Sequence, residues 1–405
     1  MAVIALVWAN GPLARYYGRL VDAPLSLAVG AFAARFTPKS LVNDGLMAIF
    51  FLVVGLEMKR ELVVGELRTA ARALLPAIAA LGGMMVPAGL FWALNHDGPG
   101  RNGWGIPMAT DIAFAIGCLS LLRSRVPDAL VVFVTALAIF DDLGGILVIA
   151  IFYGHIAPHD ALPWLIAFGV VFALGVLLGR VQVHNAGVYA LVGAALWYTL
   201  HRAGVHPTMA GVALGMVVPA MPRRDSREVL GELTETANVL ALRPPEEELA
   251  EAELAALQRG LEDLEPPLDR IVRVLHPWVA WFVMPAFALV NAGIDLRTVG
   301  LQALASAVTL GVGLGLLLGK QVGVFLATLA AVKLGLAPMP GEASQGKLYG
   351  VSVVAGIGFT VALFIANLAY EGHPSLLDEA KLGILIGSAL SAVLGLVALR
   401  ATPEV

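Results

Sequence analysis

Two adjacent aspartates lie in the middle of a long apolar stretch, where ionisable side chains are rare. Asp141 and Asp142 follow the apolar residues 136–140 and precede Leu143-Gly144-Gly145. An ionisable group inside a membrane span costs roughly 2.5–3.5 kcal/mol on insertion scales, so it persists only with a partner or a purpose. Neighbouring carboxylates disfavour each other's ionisation, whereas a nearby lysine or bound cation favours it. Such a pair can exchange protons for a cation.

Two further ionisable residues lie in other apolar runs. Asp111 follows Thr110 in one run, and Lys320 follows Gly319 in another. Carboxylate oxygens suit hard cations rather than zinc or copper, and all eight histidines lie in loops or near predicted span ends. The cluster therefore predicts a site for sodium-like ions and protons. A simpler interpretation, a buried Asp141–Lys320 ion pair that only fixes helix packing, remains open, but it leaves Asp111 and Asp142 unexplained.

Two of the apolar runs contain residues that interrupt helices. Pro107 and Thr110 interrupt the run at 103–122, and Gly356 and Gly358 interrupt the run at 348–370. Interrupted helices in corresponding positions of two halves are typical of transporter sites at the bilayer midplane. Each break exposes half-helix ends, positive at N-termini and negative at C-termini. We expect Asp111 to offset one set of ends and Lys320 the other.

The composition indicates which elements must position these residues. Of 405 residues, 59% are hydrophobic and 14% are charged, against roughly 45–50% and 25% for soluble domains. Eleven apolar runs of membrane-crossing length follow a short apolar stub at residues 1–9. We predict an all-α membrane protein of about twelve transmembrane helices. The first helix is expected to lack its front half, with the true start of the protein lying upstream of residue 1. A signal peptide is the less favoured interpretation of the stub, because no basic residues precede it.

Charge divides the chain into three segments. Residues 225–269 contain thirteen acidic and three basic residues, a net charge of −10, so the remainder carries +6. We predict a membrane domain at 1–224 with helices 1–8, an acidic cytoplasmic loop insert at 225–269, and a membrane domain at 270–405 with helices 9–12. Alternate connections hold 17 against 8 lysines and arginines, which places the insert and the C-terminus in the cytoplasm. Neither region suggests a nucleic-acid partner. The insert is expected to be a solvated spacer or, alternatively, a regulatory or docking helix.

A charged helix end and one histidine are candidates for pH control. Glu57 and Glu61 share one helical face, and Arg60 lies three residues from Glu57. Such a cluster can sense pH if it is partly desolvated, but it is equally typical of a solvated helix end. His206 precedes Pro207, and histidine titrates near neutral pH, although a lone interfacial histidine is often incidental.

Seven collinear stretches resemble the NhaA-type sodium/proton antiporters over nearly the whole chain. They are FFLVVGLEMKREL (50–62), GWGIPMATDIAFAIG (103–117), ALAIFDDLGG (136–145), GVHPTMAGV (204–212), HPWVAWFVMPAFALVNAG (276–293), GKQVG (319–323) and GIGFTVALFIANLAY (356–370). The resemblance does not extend to the insert at 225–269 or to the short N-terminus.

The resemblance implies twelve helices with two inverted three-helix repeats, whose broken, crossing members are the runs at 103–122 and 348–370. It implies that Asp142 is the principal sodium ligand, that Asp141 pairs with Lys320, and that both aspartates carry protons. Thr110 and Asp111 would lie at the edge of the site. Glu57, Arg60, Glu61 and His206 match positions associated with pH control, and Asp44 matches an acid at the start of helix 2.

The family resemblance also implies a location and a role. We expect a protein of the bacterial inner membrane that serves pH homeostasis and salt tolerance, with sodium or lithium ions and protons as partners and no cofactor. A homodimer is a further expectation. Family members often have a glutamate and a histidine where this chain has Val272 and Arg273, so part of the pH-sensing cluster is absent here.

The expected activity is a pH-regulated, electrogenic export of sodium or lithium in exchange for external protons, by alternating access. A sodium-coupled symporter is the alternative transporter, and it would require a cavity for an organic solute. A membrane enzyme, either an aspartyl protease or a prenyl transferase, fits less well because no further acid follows Asp141-Asp142 in a DDxxD pattern. We therefore predict that the protein is not an enzyme.

Overall fold

The computed structural model describes residues 1–29, 32–154, 161–222, 224–241 and 251–403. Most of these residues are helical. The α-helices are α1 (Ala2–Asn10), α2 (Ala14–Val21), α3 (Pro38–Ser40), α4 (Met47–Val63), α5 (Ala70–Leu94), α6 (Ile112–Ser120), α7 (Asp128–Phe152), α8 (Ala161–Arg180), α9 (Ala186–Ala203), α10 (Met209–Val217), α11 (Ser226–Ala241), α12 (Glu251–Leu264), α13 (Pro267–Trp278), α14 (Met284–Asn291), α15 (Leu296–Val299), α16 (Ala307–Leu314), α17 (Lys320–Lys333), α18 (Gln345–Val354), α19 (Phe359–Ala369) and α20 (Pro374–Arg400).

Shorter helical segments of other pitch connect several of these helices. The 3₁₀ segments are Glu66–Arg68, Pro99–Met108, Leu301–Ala305 and Pro340–Glu342, and the π-helical segments are Leu41–Leu46, Val279–Val283 and Gly315–Gly319. Each π-helical segment lies inside a longer helical stretch, so that α3–α4, α13–α14 and α16–α17 each form one span candidate.

The described residues contain seven helical segments that are long and apolar enough to cross a membrane, and the pair α18–α19, bent by 45°, would be an eighth. The prediction of an all-α membrane protein is confirmed at this level. The count of twelve helices stays a prediction.

One element was not predicted. The connection between α2 and α3 contains an antiparallel hairpin of β1 (Leu25–Val29) and β2 (Phe32–Phe36), in which Leu25 is opposite Phe36. Strands of five residues give only a short alternating pattern, which is easily overlooked beside membrane-length apolar runs.

The chain forms two compact units that interleave along the sequence. Unit 1 comprises Met1–Met47, Gly65–His155 and Trp281–Val405, and unit 2 comprises Ala48–Val64 and Ile156–Ala280. The predicted segments 1–224, 225–269 and 270–405 follow chain order and do not coincide with these units. The acidic insert contributes α11 and α12 to unit 2, while its residues 242–250 lie outside the described part of the chain.

Unit 1 is held together by close contact between α5 and α17. A Cβ atom built on Gly323 would lie 2.2 Å from the carbonyl oxygen of Gly82, so only glycine permits this approach of the two backbones. Beside this contact, Leu75, Phe133 and Leu348 belong to one buried apolar cluster. The packing fixes the position of Lys320, the first residue of α17.

Unit 2 depends on a similar contact between α4 and α10. A Cβ atom on Gly211 would lie 2.2 Å from the carbonyl oxygen of Ala48, and one on Gly215 would lie 2.6 Å from the carbonyl carbon of Gly55. The Lys59 ammonium donates to the carbonyl oxygens of Met216 at 2.9 Å and Val218 at 2.5 Å. A cation at this position complements the negative C-terminal end of α10.

We predict that Gly211→Ala destabilises the protein by about 1–3 kcal/mol, because the added methyl group forces the backbones of α4 and α10 apart. Thermal unfolding in mild detergent measures the effect. Gly231→Ala is the matched control, since a Cβ atom there meets nothing within 4 Å, and it should leave the melting temperature unchanged or raise it. Equal melting temperatures of the two variants would contradict the prediction.

Candidate functional site

The two interrupted segments meet in unit 1. The backbone N–H of Asp111, between the 3₁₀ segment Pro99–Met108 and α6, donates to the carbonyl oxygen of Ile357, between α18 and α19, at 2.6 Å. The breaks predicted at 103–122 and 348–370 are therefore in direct contact.

The residues predicted to interrupt the helices act in different ways. Pro107 lies inside the 3₁₀ segment, and the backbone becomes extended only at Ala109. A Cβ atom on Gly358 would lie 2.8 Å from the carbonyl oxygen of Ala109, and one on Gly356 would lie 2.4 Å from that of Leu316. These two glycines thus permit the close approach of the second break to its neighbours.

Asp111 caps two half-helices with one carboxylate. Its Oδ1 accepts the backbone N–H of Phe114 in α6 at 3.2 Å, and its Oδ2 accepts the backbone N–H of Thr360 in α19 at 3.0 Å. The Thr360 hydroxyl also donates to Oδ2. Asp111 is 1% exposed. The Asp111 carboxyl group therefore lies at the N-terminal ends of both α6 and α19, where a negative charge is stabilised.

Lys320 lies at the opposite kind of helix end. Its ammonium donates to the carbonyl oxygen of Met108, the last residue of the 3₁₀ segment, at 2.5 Å, and to Oδ2 of Asp141 at 2.8 Å. The π-helical segment Gly315–Gly319 directly precedes it. Such single-turn π segments frequently occur at functional sites, and this one immediately precedes a fully buried lysine.

The two oxygens of Asp141 have different surroundings. Oδ2 accepts from Lys320 and lies 2.8 Å from the Thr110 hydroxyl, which also lies 2.9 Å from the carbonyl oxygen of Ala355. Oδ1 is buried and has no hydrogen-bond partner among the described residues. A buried carboxylate oxygen without a donor is costly, so Oδ1 is suited to receive a proton or a cation.

Asp142 is the next residue of α7 and is also buried, with 6% exposure. Successive residues of a helix point about 100° apart, so its carboxylate is directed differently from that of Asp141. It nevertheless interacts electrostatically with Lys320. The structure thus brings five predicted residues into one buried region: Asp111, Thr110, Asp141, Asp142 and Lys320.

The polar atoms of this region suit a hard cation. Carboxylate, hydroxyl and carbonyl oxygens are the ligands of hard cations. Within the described ranges, no group of three or more histidine, cysteine, aspartate or glutamate side chains is spaced to hold a metal ion. The Lys320 ammonium occupies the Asp141 carboxylate, so a cation bound there would share this carboxylate with the lysine.

The four residues predicted for pH control lie in unit 2. Arg60 pairs with Asp269 through Nε and Oδ1 at 3.2 Å. Glu57 interacts electrostatically with His276, Arg60 and Glu61. His206 has its Nδ1 at 2.7 Å from the Thr208 hydroxyl. Thus Glu57, Arg60 and Glu61 form one cluster with α13, and His206 has local partners between α9 and α10.

Sequence reasoning missed three hydroxyl residues of the site. Thr360 donates to Asp111, and Ser388 in α20 accepts the backbone N–H of Gly358 at 3.3 Å. Ser391, one turn further along α20, is fully buried, and its hydroxyl has no partner in the part of the chain that the structure describes. Two serines three residues apart in an apolar span were the available signal.

The chain is similar over nearly its full length to members of one protein family. The family model described as Na+/H+ antiporter 1 matches residues 1–399. The chain is 55% identical over 404 residues to the Na(+)/H(+) antiporter NhaA of Anaeromyxobacter sp. (strain Fw109-5), covering 100% of this chain and 88% of the relative. It is 52% identical to Na(+)/H(+) antiporter NhaA 1 of Myxococcus xanthus (strain DK1622), covering 98% and 88%. It is 43% identical to the Na(+)/H(+) antiporter NhaA of Bordetella parapertussis, covering 99% and 92%.

We predict that Thr360→Val lowers the free energy of unfolding by about 1.5–3 kcal/mol, because it removes a hydrogen bond to a charged group. Thr360→Ser is the control, since it keeps the hydroxyl and should lose much less. Thermal unfolding in mild detergent compares the two variants. The assignment of the Thr360 hydroxyl as a stabilising donor to Asp111 would be wrong if both variants unfolded at the temperature of the unmodified protein.

Proposed function

Because the chain belongs to the Na+/H+ antiporter 1 family, we propose that it exports sodium or lithium from the cytoplasm in exchange for external protons at the Asp141–Asp142 site. One observation carries the proposal. The Asp141 carboxylate is shared with Lys320 and Thr110 through Oδ2, while its Oδ1 has no hydrogen-bond partner among the described residues. This carboxylate can accept a cation or a proton without disturbing the capped helix ends.

Asp142 is the principal cation ligand in this proposal. Its carboxylate is buried one residue from Asp141 and interacts electrostatically with Lys320, so a cation bound there would experience the charge of the same ammonium. Thr110 and Asp141 supply further oxygens beside it. Binding of a proton at Asp142 removes the negative charge that attracts the cation, so proton and cation occupy the site alternately.

The Asp141–Lys320 pair supplies the second proton. A cation that binds Asp141 competes with the Lys320 ammonium for the same carboxylate. Loss of a proton from this pair removes that competition. If Asp142 and the pair each release one proton for each cation, one net charge crosses the membrane per cycle, and each elementary charge is worth about 2.3 kcal/mol per 100 mV.

The conformational cycle we propose is alternating access with twelve helices and two inverted three-helix repeats. The broken segments 99–120 and 345–369 are the corresponding members of the repeats. Their contact between Asp111 and Ile357 supports this assignment. No organic substrate and no cofactor are required, and the relatives are transporters rather than enzymes.

The chain is a multi-pass membrane protein, and we propose that it lies in the bacterial inner membrane. The excess of basic residues in alternate connections supports a cytoplasmic C-terminus and a cytoplasmic insert at 225–269. A homodimer is part of the proposal, since the β1–β2 hairpin has two strands and hence open edges.

We propose that Glu57, Arg60, Glu61 and His206 set the pH range of exchange. The Arg60–Asp269 ion pair and the electrostatic contact of Glu57 with His276 place titratable groups together at one end of α4. Protonation of such a cluster changes the interactions between α4 and α13, which supports a regulatory role.

Asp142→Asn should abolish sodium-dependent proton movement, because an amide cannot carry a proton or neutralise a cation. The rate is measured in everted membrane vesicles as alkalinisation of an acidic lumen after addition of sodium. Asp97→Asn is the control, since the Asp97 side chain is 92% exposed, and it should exchange at the normal rate.

With the unmodified protein, valinomycin and potassium should accelerate exchange, because they remove the potential that a charge-moving cycle builds. Normal exchange by Asp142→Asn would refute the assignment, and an unchanged rate with valinomycin would refute the stoichiometry.

Glu57→Gln should shift the pH dependence of exchange without abolishing it, because the amide cannot ionise beside His276 and Arg60. The exchange rate is measured across a pH series in the same vesicles. Glu235→Gln, a substitution at an exposed position of α11, should leave the profile unchanged. Identical profiles for the two variants would show that Glu57 does not regulate exchange.

A further inference from the structure

Unit 1 contains a cavity with a different set of residues from the ion site. It has a volume of about 430 Å³, is open to the surface, and is lined by the first turns of α5, the first turns of α7 and the loop at 337–341. Its walls are mostly apolar and include Leu75, Phe133, Ala136 and Met339. This volume falls in the range of ligand pockets, about 300–1,000 Å³.

The residues that line the cavity do not include any of the five residues of the ion site. Ala136 forms part of its wall on α7, and Leu137 directly follows with no exposed surface. Ala79 and Ala80 of α5, also fully buried, belong to the same packed cluster. An apolar pocket that ends in packed side chains offers nothing to a hydrated ion, so its ligand must itself be largely apolar.

The polar groups of the cavity are confined to one end. Glu66 and Arg72 lie there, and Nη1 of Arg72 donates to Oε2 of Glu66 at 2.9 Å. A guanidinium has five N–H donors, so this bond leaves further donors for an anion. The Arg72 side chain is 67% exposed, and it can therefore meet a ligand from the membrane surface.

The position of the cavity indicates the source of the ligand. α5 begins at Ala70 and α7 begins at Asp128, so the charged end lies where two membrane-spanning helices begin. The apolar part extends about two turns into the spans, to Pro76 and Ala136. A molecule that matches this order of charge and apolar surface has an anionic head and a hydrocarbon tail.

We propose that this cavity holds one acyl chain of an anionic phospholipid whose phosphate is bound by Arg72. Arginine binds phosphate through paired N–H donors, and the apolar walls bury the acyl chain away from water. The proposal rests on the membrane placement given above, in which this end of the spans faces the anionic cytoplasmic leaflet. It does not rest on the ion chemistry at Asp141 and Asp142.

The first test is the retention of phospholipid by the purified protein. The protein is equilibrated with vesicles of phosphatidylglycerol and phosphatidylcholine, and native mass spectrometry counts the retained molecules. We expect preferential retention of phosphatidylglycerol and a several-fold loss of that preference in Arg72→Gln. Arg123→Gln, which removes an exposed arginine from another connection, should retain the preference. Equal retention of both lipids, or equal behaviour of the two variants, would overturn the proposal.

The second test locates the acyl chain of the bound lipid in the unmodified protein. Phosphatidylglycerol with a photoreactive acyl chain should crosslink to peptides containing Phe133 or Met339, and digestion with mass spectrometry identifies them. Ala136→Leu fills the cavity and should abolish this crosslink, whereas Ala173→Leu, at an exposed position of α8, should not. Crosslinks only to other segments of the unmodified protein would refute the site. Sodium-dependent proton movement measured on the same samples separates failure of lipid binding from failure of ion exchange.

Discussion

A helix that is interrupted away from water exposes backbone N–H and C=O groups that must find partners within the protein. In unit 1 this requirement is met by a few side chains. Asp111 accepts N–H groups from the starts of α6 and α19, and Lys320 donates to the carbonyl at the end of the 3₁₀ segment Pro99–Met108. The breaks and the buried charges therefore depend on each other. Neither would be stable alone, because an uncapped break and an unpaired charge are both costly.

The buried Asp141–Lys320 ion pair could serve either to stabilise the helix packing or to bind an ion. A buried ion pair is weak evidence for stability, since apolar residues of similar volume often stabilise a protein equally well or better. A pair selected only for packing would also be expected to satisfy both carboxylate oxygens. Here Oδ1 of Asp141 is buried and has no donor among the described residues. The arrangement is therefore better explained by a site that receives an ion or a proton than by a structural contact alone.

Much of the site could be predicted because charge is so informative in an apolar sequence. Ionisable side chains are easily noticed in a membrane span because their insertion costs free energy. The structure places the four that were noticed in one buried region, namely Asp111, Asp141, Asp142 and Lys320. Thr360 could not be found in this way, because inserting a threonine into an apolar span costs little free energy. Its role also depends on contact with Asp111, which lies 249 positions earlier in the chain.

Other features escaped prediction for geometric reasons. The π-helical segment before Lys320 leaves no pattern in a run of glycine and leucine. Pro107 marked the first interrupted run correctly, but the extended backbone begins only at Ala109. The position depends on where Asp111 can cap α6, which proline chemistry alone does not specify. Likewise, the interleaving of the two units reflects long-range packing between glycine-lined helices, such as α5 with α17 and α4 with α10.

The location of the proposed pH residues constrains how they can act. Glu57, Arg60, Glu61 and His206 belong to unit 2, whereas Asp141, Asp142 and Lys320 belong to unit 1. Titration in one unit can change exchange in the other only if the two groups of residues bias a common conformational equilibrium. In the proposed cycle, the pH residues would bind protons with different affinities in the inward-open and outward-open states. Since linkage is reciprocal, cation binding at Asp142 would in turn change the proton affinity of the cluster around Glu57. The proposed regulation therefore acts through the conformational cycle, and it requires no direct contact between the cluster and the transported ion.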